Sequence, residues 1–154
     1  MESMFLDTSA LAKRYVDETG SEWISELFVS DEKVSVYIAE LTSVELTSAI
    51  IRRSKGGYIT SDEATAILNE FDSHLIRDYF VLEISPELLF EARLLVIKHG
   101  LRAYDAVQLA IAEFFNRGQI ERNLAAVTFV SADNELLTAA RADGLLTDNP
   151  NNYP

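Results

Sequence analysis

Four carboxylates in this 154-residue chain stand where an α/β protein does chemistry. The apolar run Met4-Phe5-Leu6 stops on Asp7, and Thr8-Ser9-Ala10-Leu11 opens a helical pattern. Ala126-Val127-Thr128-Phe129-Val130 likewise runs into Ser131-Ala132-Asp133 before another helical pattern. An acid where a buried strand hands over to a helix sits at the mouth of an open sheet, the edge where such folds bind ligands. Glu45 shares a helical stripe with Leu41 and Ala49, and a carboxylate on so apolar a line is costly to bury without a partner. Asp105 opens an apolar helix that carries few other polar groups. Hard divalent cations take oxygen ligands and keep several waters, so a few carboxylates suffice for Mg²⁺ or Mn²⁺. A cation also relieves the repulsion among acids gathered in one place.

Each acid has a local reading as well. Asp7 or Ser9 can cap the first helix, and Asp133 or Ser131 the last. Asp105 in a first helical turn favours the helix dipole. Glu45 can lie on an exposed helix face. A shared metal site requires all four to converge, which none of these local roles does.

The elements that must position them alternate along the chain. Strands are expected at Met4–Leu6, Lys33–Tyr37, Tyr79–Leu82 and up to Val130, with a short last one at Leu145-Leu146. Helical spacing covers Ser9–Val16, a stretch opened by Gly20-Ser21, Leu41–Arg53, a stretch begun by Thr60-Ser61-Asp62-Glu63, Pro86–His99, Ala103–Asn116 and a last helix ending near Gly144. Gly56-Gly57 breaks a helical hairpin in two, and a loop is expected around Gly118. Strands separated by helices favour a parallel sheet covered on both faces, an α/β sandwich with extra helices inserted in its middle. Residues 1–148 read as a single domain and 149–154 as a loop-like tail.

Composition narrows the class. Apolar residues make up 48%, which excludes a disordered chain, and no apolar stretch is long enough to span a bilayer. With no cysteine there is neither a disulfide nor a thiolate metal site, and without a secretory leader pattern a cytoplasmic protein is the simplest expectation. The formal charge of −12 argues against broad attraction to nucleic acid, yet a bound cation would reverse the sign locally. Lys13, Arg14, Arg52, Arg53, Lys55, Lys98 and Arg102 are available for a basic rim. His74 and His99 sit apart on different helices, where surface or core roles fit them better than metal ligation.

At these residues the sequence resembles the PIN-domain family, and within it the VapC-type toxins of toxin–antitoxin pairs. Phe5-Leu6-Asp7-Thr8-Ser9-Ala10-Leu11-Ala12-Lys13-Arg14-Tyr15-Val16 is similar to the family's first motif. Leu41-Thr42-Ser43-Val44-Glu45-Leu46, Leu101-Arg102-Ala103-Tyr104-Asp105-Ala106 and Phe129-Val130-Ser131-Ala132-Asp133 resemble the next three, in family order. The resemblance implies a PIN-like α/β/α sandwich with a central, mostly parallel sheet and an inserted helical hairpin. It assigns Asp7, Glu45, Asp105 and Asp133 to the acidic metal-site positions, with Glu40 a rival for the second. Ser9 and Ser131 correspond to the polar residues beside them. It further implies a Mg²⁺- or Mn²⁺-dependent ribonuclease acting on RNA, neutralised by a small antitoxin protein, with a homodimer expected and no membrane association.

Two other readings stay open. Asp7 ends a strand, as the nucleophile of an aspartyl-phosphate phosphotransferase does, although Ser9 stands where the common pattern has a second Asp. Alternatively the chain is a non-catalytic interaction domain whose acids only cap helices and solubilise.

Overall fold

The computed structural model describes residues 1–30 and 33–154. Its strands are β1 (Glu2–Leu6), β2 (Val34–Ala39), β3 (Phe80–Leu82), β4 (Thr128–Val130) and β5 (Leu146–Asp148). Its α-helices are α1 (Thr8–Leu11), α2 (Ser21–Glu26), α3 (Leu41–Lys55), α4 (Ser61–Arg77), α5 (Pro86–His99), α6 (Ala103–Glu121) and α7 (Asn134–Ala142), and 3-10 turns cover Ala12–Arg14 and Pro150–Asn152. The five strands form one sheet in the order β3-β2-β1-β4-β5, and every pairing is parallel.

Parallel neighbours require crossovers, and the crossovers cover both faces. Alternation along β1 sends Met4 and Leu6 to one side, where they pack with Ala10, Ile24, Leu46, Ile50 and Phe71 from α1 to α4. Phe5 goes to the other side, among buried residues of α5, α6 and α7, with its ring stacked 5.7 Å from that of Phe129. Each fully buried Leu, Ile or Phe contributes roughly 1.5–3 kcal/mol, so the two apolar layers hold the sheet between them. This is the α/β/α sandwich expected from the motif pattern, and α3 and α4 form the inserted hairpin.

The strand order places the site. From β1 the chain winds outward through β2 to β3, then returns on the far side of β1 as β4. The winding sense reverses between β1 and β4, and in open α/β sheets ligands bind outside the strand ends at that point. Register Leu6↔Val130 ends the two strands level, and the Asp7 amide donates to the Val130 carbonyl at 3.1 Å.

Helix signals act as their chemistry dictates. Thr60 and Glu63 form a reciprocal capping box on α4, and the Ser85 hydroxyl caps α5 ahead of Pro86. Gly100 stops α5 at φ +67°, a conformation that favours glycine. Three expectations change. The helix expected over Ser9–Val16 is α1 followed by the 3-10 turn. The helix expected to end at Asn116 continues to Glu121, so Gly118 is helical rather than in a loop. The tail expected as loop carries the Pro150–Asn152 turn, with Tyr153 stacked 4.5 Å from Trp23. Among the described residues no helix is long and apolar enough to cross a membrane.

Candidate metal centre

Asp7 is buried, at 4% exposure, and each of its carboxylate oxygens accepts from the protein. Oδ1 accepts from Ser9 Oγ at 2.7 Å and from the Ala10 amide at 2.9 Å; Oδ2 accepts from Ser131 Oγ at 2.6 Å. The level ends of β1 and β4 make the last bond possible across 124 residues of sequence. Ser9 Oγ also accepts from the Ala132 amide at 3.0 Å, and Ser131 Oγ accepts from the Asp133 amide at 3.1 Å. Both serines therefore lock the two strand ends together around one carboxylate. Burial nonetheless pushes the Asp7 carboxyl up to about 6 against these three bonds, and the charge of Asp105 adds to the rise.

Asp133 caps α7, with Oδ1 accepting from the amides of Glu135 at 2.9 Å and Leu136 at 3.3 Å. The local reading of this residue is thus correct, but it leaves the second oxygen without a hydrogen bond among the described residues. Glu45 projects from α3 and is gripped through Oε1, by Thr8 Oγ1 at 3.0 Å and Gln108 Nε2 at 2.9 Å. Gln108 Nε2 also lies 3.2 Å from Thr8 Oγ1 and 3.0 Å from Thr42 Oγ1, sharing its two hydrogens among three oxygens and joining α6 to α3 and to the end of β1. Asp105, in the first turn of α6, is different. It makes no side-chain hydrogen bond among the described residues, and burial, then Asp133 and Glu45, raise its carboxyl above the usual range.

All four carboxylates line one cavity of about 310 Å³, together with Thr8, Ser9 and Gln108. Glu40, the rival for the second acidic position, points elsewhere: its Oε1 accepts from the Ile84 amide at 2.7 Å. Among the described residues no three His, Asp or Glu side chains are placed to hold an ion by themselves. Asp7, Glu45 and Asp133 each spend oxygens on protein donors, so an ion here would take single oxygens and fill its remaining positions with water. Mg²⁺ and Mn²⁺ accept that arrangement. A half-buried carboxylate with no donor, repelled by two others, fits such an ion better than it fits a structural role.

The basic rim is smaller than the sequence suggests. Lys13 is buried and paired with Glu18 at 3.1 Å, and Arg53 takes the other oxygen of Glu18 at 2.8 Å. Arg14 holds Asp78 at 2.7 Å and lies 3.7 Å from the Phe28 ring centroid. Lys98 is paired with Asp143 at 2.6 Å. Neither histidine lines the cavity: His74 packs against Tyr15, and His99 meets Asp143. Sequence reasoning passed over Thr8 and Gln108. An amide set among apolar residues one turn after Asp105 was the readable signal for Gln108, whereas Thr8 is indistinguishable from an ordinary capping residue.

A family model described as the PIN domain matches residues 4–142. Ribonuclease VapC3 of Pyrobaculum aerophilum is 31% identical over 114 residues, covering 71% of this chain and 81% of that protein. The crystal structure of PAE2754 from Pyrobaculum aerophilum superposes with a TM-score of 0.64 at 24% identity, over 96% of this chain and 83% of that one. A chain of a toxin–antitoxin complex from Klebsiella pneumoniae gives a TM-score of 0.55 at 14% identity, over 96% and 97%. At these identities the two structures share the fold with this chain.

Proposed function

The chain belongs to the PIN domain family, and from that premise we propose that it is a VapC-type toxin, a ribonuclease that uses Mg²⁺ or Mn²⁺ to hydrolyse RNA phosphodiester bonds. The observation that carries the proposal is the single cavity lined by Asp7, Glu45, Asp105 and Asp133, four acids from four separate elements. The kinship with a VapC ribonuclease supports RNA as the substrate.

A bound divalent ion would supply an activated water and neutralise charge on the phosphate oxygens. The residues of the chain do the positioning. Asp7 is aimed by Ser9, Ser131 and the Ala10 amide, so its oxygens cannot swing away. Asp105 and Asp133, which line the same cavity, would complete the oxygen set. Glu45, steadied by Thr8 and Gln108, would bind the ion through water or orient the attacking water. Ser9 and Ser131 act through Asp7. The phosphotransferase alternative is the poorer fit, because the position two residues on, where that pattern carries its second acid, holds Ser9, which donates to Asp7.

We assign two partners in addition to RNA. A cognate antitoxin protein follows from the fold shared with a chain of a toxin–antitoxin complex. A homodimer is supported by the outward face of α5, where Leu89, Phe90, Leu94 and Ile97 are all exposed. A cytoplasmic setting accords with an RNA substrate. The deciding experiment is cleavage of RNA by purified protein in Mg²⁺ or Mn²⁺, with chelator and Asp7→Asn as controls. Ion-dependent cleavage lost in Asp7→Asn is expected. Cleavage that survives both controls, in a preparation cleared of contaminating nuclease, would refute the proposal.

A further inference from the structure

The acidic cavity continues past Glu45 into a second hollow of about 400 Å³, and Glu45 and Ala49 line both. Helical spacing builds its long wall. Leu41, Val44, Ser48 and Arg52 recur at three- and four-residue steps along α3, so they share one face with Glu45. Tyr104, directly before Asp105, closes the hollow from the start of α6. The result is a short trough with carboxylates at one end, an aromatic ring at its side and a guanidinium further along.

Three features suit this trough to a nucleotide. Tyr104 is 61% exposed and Val44 67%, so an aromatic and an aliphatic side chain stand in water beside a polar site. Arg52 makes no ion pair or side-chain hydrogen bond among the described residues, although Lys13, Arg14, Arg53 and Lys98 are all paired. Arg52 also lies seven residues from Glu45, roughly 10 Å along the helix axis. That distance places its charge beyond the acidic cavity, where a neighbouring phosphate of the same strand would pass.

We infer that Tyr104 and Arg52 form the subsite for the RNA nucleotide adjacent to the scissile bond, Tyr104 stacking on its base and Arg52 pairing with its phosphate. The inference rests on the ribonuclease reading and adds the direction in which the strand leaves the metal centre. Stacking on an aromatic ring tolerates any base, so the subsite holds single-stranded RNA without selecting its sequence. The local cation also answers the objection from net charge: a chain of formal charge −12 presents a free guanidinium where the strand would lie.

The test is fluorescence anisotropy of labelled single-stranded oligo(U) in chelator, which separates binding from cleavage. Tyr104→Ala should weaken binding about 10-fold, and Tyr104→Phe should restore it. Arg52→Gln should weaken binding and flatten the slope of log affinity against log salt by about 0.7, the release of one counterion from a single strand. In steady-state cleavage both variants should raise KM and leave kcat within about threefold. Unchanged affinity in both variants overturns the inference even if the wild type cleaves RNA normally. A wild type that binds through Tyr104 and Arg52 but never cleaves would instead fail the ribonuclease reading alone. If Tyr104→Ala changes the oligomeric state or antitoxin affinity with oligo(U) binding intact, the hollow is a protein interface and the inference falls.

Discussion

Gln108 Nε2 stands 2.9 Å from Glu45 Oε1, a bond that ties α6 to α3 across the mouth of the acidic cavity. A carboxylate needs a donor, so the amide nitrogen must face Glu45, and the amide oxygen is left buried without a partner among the described residues. Gln108→Leu removes the donor and the orphaned oxygen together. We expect fold stability to change by no more than about 1 kcal/mol. Ion affinity or ion-dependent activity should fall about 10- to 100-fold, as when the support of a metal ligand is removed. Unaltered ion affinity in this variant would show that Glu45 does not depend on Gln108.

Ser131 Oγ donates to the buried Asp7 at 2.6 Å, accepts from the Asp133 amide at 3.1 Å and meets Ser9 Oγ at 3.3 Å. Ser131→Ala therefore leaves a buried charge one donor short. At pH 8, where Asp7 is ionised, urea denaturation should show a loss of about 1.5–3 kcal/mol. No loss at that pH would mean that the strand ends are held without the serine.

A second carboxyl pair involves Glu113, midway along α6. Burial, and then contact with Asp143, push the Glu113 carboxyl up to about 8. Burial also works against the charge of Asp143, but hydrogen bonds from Glu113, Lys98 and His99 outweigh it and hold that carboxyl down to about 2. Lys98 and Arg117 are the cations that oppose the rise at Glu113. The folded protein keeps a proton on Glu113 that the unfolded chain releases near 4.5. Stability from this group is therefore greatest at acid pH and falls as pH rises toward about 8. Asp143 has the opposite sign, but its window lies between about 2 and 3.8, below that range. Glu113→Gln keeps a donor for Asp143 and cannot ionise. Its Tm advantage over wild type should grow between pH 5 and pH 8 and then level off. A pH-independent difference would contradict the shared proton.

The outward face of α5 gives a further expectation. Leu94 is 49% exposed and Ile97 78%, on the side opposite the buried Leu88, Ala92 and Leu95. Light scattering should find a dimer for wild type and a folded monomer for Leu94→Glu combined with Ile97→Glu. A monomeric wild type, or a dimer that survives both charges, would remove α5 as the interface.

The strand-end acids were legible because a strand buried on both faces reads as an unbroken apolar run, and the residue that ends it is conspicuous. Asp7 and Asp133 stood out on that account. The capping box at Thr60 and the glycine stop at Gly100 were legible too, being local chemistry. What escaped was set by tertiary contact. Gly118 reads as a break, yet isolated glycine costs a helix only about 1 kcal/mol relative to alanine, and packing of α6 against the sheet outweighs that. Lys13 and Arg14 read as free cations because nothing in spacing shows that Arg14 meets Asp78, 64 residues away. The grip of Thr8 and Gln108 on Glu45 likewise joins three distant segments.

The most direct test of a shared ion is calorimetric titration of Mn²⁺ into wild type and Asp105→Asn. Asp105 makes no side-chain hydrogen bond among the described residues, so the substitution should spare the fold and strike only the ion. Saturable binding by the wild type, weakened at least about 10-fold in Asp105→Asn with no fall in Tm, is the expected result. No saturable binding by the wild type, or superimposable isotherms for the two proteins, would contradict it.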